Sequence, residues 1–97
     1  MTEEERGAVD GVGLLRAMAD QAMQENGLAD AQGAASVSVV PSTATAATAG
    51  MDMGTPRYDA AVGWLLEAGA LERAAAGEAA EAFRITPGGI DLLQQTG

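Results

Sequence analysis

One helix-start signal occurs twice in this chain, and the two copies bracket most of its C-terminal half. Thr55-Pro56 and Thr86-Pro87 each place a hydroxyl at an N-cap and a proline at the first helical position, where the missing N–H costs nothing. From Pro56 the spacing predicts a helix over 56–68, stopped by Gly69, with Tyr58, Ala61, Val62, Leu65 and Ala68 on one face. Leu71-Glu72-Arg73 and Phe83-Arg84-Ile85 read as strands, and the Ala/Gly/Glu stretch 74–82 between them as the loose tip of a hairpin. Ile85 at N′ can staple onto Ile90 at N4, leading into a short last helix with Leu92 and Leu93.

The N-terminal half is less sharply punctuated. Residues 1–9 carry three consecutive acids, Gly7 and almost nothing to bury, and read as a disordered acidic tail before a single domain over 10–97. Asp10 can cap the helix that follows, although Gly11 and Gly13 weaken its first turn. From Leu14 the rows Leu14-Met18-Ala22 and Leu15-Ala19-Met23 mark an amphipathic helix, ended by Asn26-Gly27-Leu28. The small polar stretch 30–35 is expected to be a loop, and 36–40 a strand closed by Pro41. The Ala/Thr segment 42–49 suits a linker as well as a helix. Ser42 as N-cap, Gly50 as C′ residue and Met51 folding back on Ala46 favour a short helix.

Much of the apolar 47% is alanine and only 3% of the chain is aromatic. The expected core is correspondingly thin: Leu14, Leu15, Met18, Val37, Val39, Val62, Leu65, Leu71, Phe83, Ile85, Ile90 and Leu93. The absence of Cys and His excludes disulfide staples, zinc fingers, haem ligation, cysteine nucleophiles and histidine bases. No apolar run approaches a membrane span, and Met1-Thr2-Glu3-Glu4-Glu5 has the wrong charge for a secretory leader, so the expectation is a cytoplasmic protein.

The element order is helix, strand, helix, helix, strand, strand and a short C-terminal helix, an α+β pattern. Within it, the run from Ala61 to Glu72, with its Leu65-x-x-x-Gly69-Ala70-Leu71 exit, is similar to the end of the second helix-turn-helix helix in winged-helix proteins. Phe83-Arg84-Ile85-Thr86-Pro87-Gly88-Gly89-Ile90 resembles that family's returning wing strand. Both runs are packing and capping devices rather than functional signatures. The resemblance implies a small winged helix, with 56–68 as recognition helix and 74–82 as wing tip.

Winged helices most often bind DNA, yet the residues argue for other work. The face of 56–68 opposite the core carries Pro56, Asp59, Ala60, Gly63 and Glu67, and the wing tip carries Glu78 and Glu81. Five cations, all Arg, stand against 14 acids for a net charge of −9, whereas salt-sensitive DNA binders make about 6 to 10 phosphate contacts. A dimer reading DNA directly would have to pool Thr55, Arg57, Arg73 and Arg84. The favoured expectation is a regulatory module of a DNA-associated assembly, working through a protein partner or a second copy of itself. Trp64 and Leu66, flanking core position Leu65, together with Met51 and Met53, are the candidate contact surface. The alternative for Trp64 and Leu66 is a core edge over the hairpin or first helix, and for the methionines simple gap-filling. No catalytic group, metal site or cofactor site is expected. Gly11-Val12-Gly13 lacks a preceding strand and has Arg16 in place of a third glycine, and Asp52-Met53-Gly54 lacks the donors of a calcium loop.

Overall fold

A computed structural model describes residues 2–74 and 82–96. Four helices pack on a three-stranded antiparallel sheet in the order α1 (Glu3–Asn26), β1 (Ser38–Val39), α2 (Thr43–Thr48), α3 (Pro56–Glu67), β2 (Leu71–Ala74), β3 (Ala82–Ile85) and α4 (Pro87–Thr96), with a 3-10 helix over Ala31–Ser36. The architecture is α+β, as the sequence pattern implies. The sheet order is β1-β3-β2, so the second hairpin strand runs between its partner and the short strand from the N-terminal half.

The first helix overturns the expected tail. It starts at Glu3 rather than after Asp10, because Thr2 and Glu5 close a capping box: Thr2 Oγ1 accepts from the Glu5 N–H at 3.2 Å, and Glu5 Oε2 accepts from the Thr2 N–H at 3.4 Å. The Glu5 carboxylate therefore sits at the positive end of the helix dipole, where carboxylates are favoured. Two further differences lie in the next segment. Asp30 accepts from the Gly33 N–H at 3.2 Å and so caps a 3-10 helix where a loop was expected. That helix absorbs Ser36, and the expected strand over 36–40 shrinks to Ser38–Val39. At its other end the Val40 carbonyl accepts from Gln21 Nε2 at 2.8 Å, and Pro41 has no N–H to continue a ladder.

The helix ends follow the expected punctuation closely. Ser42 caps α2 in a box with Thr45, which settles 42–49 as helix rather than linker. Gly50 (φ 79°) and Gly69 (φ 74°) take the left-handed conformation at C′ of α2 and α3. The bonds Met51 N–H to Ala46 O (2.9 Å) and Ala70 N–H to Leu65 O (2.9 Å) then satisfy the orphan carbonyls of both helices. The last helix is longer than a single turn, reaching Thr96.

Cross-strand pairs order the sheet faces. Leu71 faces Ile85 on the buried side, and Glu72 faces Arg84 in solvent. Eleven of the twelve expected core residues are buried; Val37, at the C-cap of the 3-10 helix, is only half-buried. Alanine completes the core where bulky residues run out, with Ala19, Ala22, Ala34, Ala46, Ala61 and Ala70 all in the same cluster.

Gly88-Gly89 is explained by the junction of α3 with α4. The Thr86 N–H donates to the Ala70 carbonyl at 3.1 Å, Thr86 Oγ1 donates to the Gly69 carbonyl, and the Gly89 N–H donates to Thr86 Oγ1 at 3.0 Å. A Cβ on Gly89 would collide with the Ala70 carbonyl oxygen and stand 2.9 Å from Ile85 Cγ2. Gly89→Ala should therefore lose stability by about 1 to 2 kcal/mol, the overpacking cost exceeding the gain of about 1 kcal/mol in helix propensity. A urea titration of the variant checks this, and a midpoint at or above wild type would mean the junction yields.

Candidate functional site

The start of α3 carries a cluster of polar contacts. Thr55 caps it, Oγ1 accepting from the Tyr58 N–H at 3.4 Å and donating to the Asp52 carbonyl at 2.6 Å. One residue into the helix from Pro56, Arg57 reaches across to α1. Its Nε and Nη2 donate to Asp10 Oδ2 and Oδ1 at 2.9 and 2.8 Å, and its Nη1 donates to the Gly50 carbonyl at 3.3 Å. Asp10 is thus no N-cap. It lies within α1 with its side chain 8% exposed, while Arg57 remains 54% exposed.

These hydrogen bonds hold the Asp10 carboxyl below its usual range, against the opposing effect of burial and with help from the charges of Arg57 and Arg6. A folded value below the unfolded one means that the pair stabilises fully above an unfolded pKa of about 3.9. That stabilisation is lost as pH falls through the folded value. The difference in urea midpoint between wild type and Asp10→Asn should accordingly be clear near about pH 6 and shrink toward zero as pH falls through the folded value. A difference that persists in acid would mean that the carboxylate charge is not what matters at this position.

The other arginines of the candidate DNA set are likewise engaged within the molecule. Arg84 Nη1 lies 3.5 Å from Glu72 Oε1 across the sheet. The Arg73 guanidinium lies over the ring of Phe83, its cross-strand partner, 5.9 Å from the centroid. Arg57, Arg73 and Arg84 thus each stand against a partner within the chain. The open face of α3 presents Pro56, Asp59, Ala60 and Glu67 to solvent, with Gly63 half-buried, as its spacing requires. The wing-tip acids Glu78 and Glu81 lie outside the described residues.

No family model, curated protein or solved structure matches this chain. Function has to be argued from its own surface.

The four residues expected to form a contact surface are not brought together. Met51 is buried in the core beneath α2, so it is removed from the candidate set. Leu66 is half-buried against the same core. Trp64 is half-buried too, its ring lying over α1 at Gly7 and Gly11, so closely that a Cβ on Gly11 would stand 2.5 Å from Cε3. This is the core-edge placement over the first helix. Met53 alone remains open, 38% exposed.

Met53 has a different neighbour, which sequence reasoning missed. Val40 is 46% exposed, and the two border a groove of about 320 Å³ whose lining includes Pro41, Tyr58, Asp59 and Phe83. The signal was available in the alternation of 36–40, which turns Val37 and Val39 inward and hence Val40 outward. A larger recess of about 460 Å³ between α1 and α2 is lined mainly by polar groups. Gln21 in it already donates to Val40 and Glu25 and accepts from Thr45 Oγ1. Among the described residues no helix is long and apolar enough to cross a membrane.

Proposed function

We propose that this chain is a non-catalytic winged-helix module of the cytoplasm, regulatory in a DNA-associated assembly, and that it works through protein contacts. The order of elements and the β1-β3-β2 sheet support the family reading. The observation that carries the choice of protein over DNA is the state of the arginines. Arg57, Arg73 and Arg84 are bound to Asp10, Phe83 and Glu72, while the helix that would enter a groove presents Asp59 and Glu67. Freeing Arg57 for a phosphate would strand the buried Asp10 carboxylate, which is a costly exchange. The contact surface in this reading is the Val40–Met53 groove rather than Trp64.

A gel-shift titration with random duplex DNA at low salt, where phosphate attraction is strongest, tests the proposal. The expected result is no retarded band up to about 100 μM chain, the weak limit of ordinary non-specific binding. Retardation at low micromolar concentration would restore the alternative, a dimer that reads DNA directly by pooling Arg57 and Arg73.

A further inference from the structure

We propose that the Val40–Met53 groove docks a segment of a partner protein in which an apolar side chain is flanked by Lys or Arg. This rests on the protein-contact reading above and adds the chemistry of the partner. The groove supplies the apolar half of the argument. Among the described residues three large hydrophobic side chains are exposed, Val9, Val40 and Met53, and two of them stand on this one rim. Phe83 and Tyr58 are otherwise buried and form its floor, and about 320 Å³ accommodates one or two aliphatic side chains.

Charge complementarity selects the flanks. Asp59 is exposed on the groove wall, in the first turn of α3. Around it the chain carries a net charge of −9, and Arg57 and Arg84 are paired with the carboxylates of Asp10 and Glu72. A cationic segment gains from this field at every distance within a Debye length of about 8 to 10 Å. A second copy of the chain would bring another −9 to the same surface.

The test uses the full chain with ¹³C-methyl methionine and four synthetic octapeptides, read by the Met53 methyl resonance. The probe is acetyl-Gly-Lys-Lys-Leu-Leu-Lys-Lys-Gly-amide. Its controls replace the four Lys by Gln, the four Lys by Glu, or the two Leu by Ser. The Lys/Leu peptide should shift the Met53 methyl saturably. Affinity should fall about tenfold for the Ser peptide and for Val40→Ser, the scale of losing an apolar anchor. It should fall about threefold for Asp59→Asn, the scale of one exposed ion pair, and stay unchanged for Glu67→Gln.

Four results would overturn the proposal. Equal binding of the Ser peptide would reduce the effect to bulk charge attraction. Equal binding of the Gln peptide would keep the groove as a protein-contact site but remove the basic partner. A Met53 shift that follows chain concentration alone would make the groove a self-interface. No binding by any peptide at about 1 mM, the weak end of measurable affinity, would leave the groove without this occupant. Because none of these readouts involves DNA, failure here is distinguishable from failure of the protein-contact reading in the gel shift.

Discussion

Leu65→Ala should lower folding stability by about 2 to 5 kcal/mol. Leu65 is fully buried on the face of α3 that also carries Tyr58, Ala61 and Val62, at the centre of the contact with α1 and the sheet. The size of the effect follows from what surrounds it. Ala19, Ala22, Ala61 and Ala70 share its cluster and have no rotamers with which to fill a cavity. A hole left at Leu65 therefore stays open, and the cost sits toward the upper part of the range. A small domain holds only about 5 to 15 kcal/mol in total, so the variant should be partly unfolded at 37 °C. Leu65→Met conserves volume and should cost less than about 1.5 kcal/mol. Urea denaturation of the pair decides the matter: a loss below about 1 kcal/mol for Leu65→Ala would mean that α3 buries a different face.

How much of this was legible in the sequence depends on the range of the interaction involved. Helix ends were legible because their causes are local. Ser42, Thr55-Pro56, Thr86-Pro87 and the glycines at 50 and 69 act within five residues of themselves, and each sits where its chemistry requires. The hairpin of β2 and β3 was legible for a related reason, since Phe83 and Ile85 alternate with Arg84, whereas the pairing of β1 with β3 joins segments more than forty residues apart and left no local mark. The start of α1 was legible only in part. Thr2-x-x-Glu5 is a local capping box, but Gly7, Gly11 and Gly13 argue against a helix on propensity, and what offsets them is the pairing of Asp10 with Arg57 and the seating of Trp64, contacts from residues some fifty positions away. The contact surface was misplaced for a different reason. Met51 and Met53 are two residues apart, but the turn after α2 buries one and exposes the other. The separating signal was local, the C′ glycine at 50 that folds Met51 back toward Ala46 and does not reach Met53.

Trp64 should prove to be a folding residue, and α1 offers an unusual way to show it. Were it a partner surface, its emission would be red-shifted in dilute solution and its truncation would leave stability alone. The ring instead covers the glycines of α1, so emission should be blue-shifted at every concentration. Trp64→Ala should cost about 2 to 3 kcal/mol, less than the 3 to 5 of a fully enclosed aromatic because the side chain is half-buried. The three glycines give the sharper test. Gly13 has open space where a Cβ would go, so Gly13→Ala should gain about 1 kcal/mol of helix propensity, or roughly 4 to 8 °C in Tm. Gly7→Ala would meet Trp64 Cδ1 at an ordinary 3.7 Å and should gain similarly. At Gly11 the same methyl would press into the ring at 2.5 Å from Cε3, so the sign reverses and the variant loses stability. Removing the indole removes the obstacle. In a Trp64→Ala background Gly11→Ala should become stabilising by the same 1 kcal/mol or so, a coupling that only direct contact between the two positions produces. Additive effects in that cycle would place the Trp64 ring away from α1 and return it to the surface available to a partner.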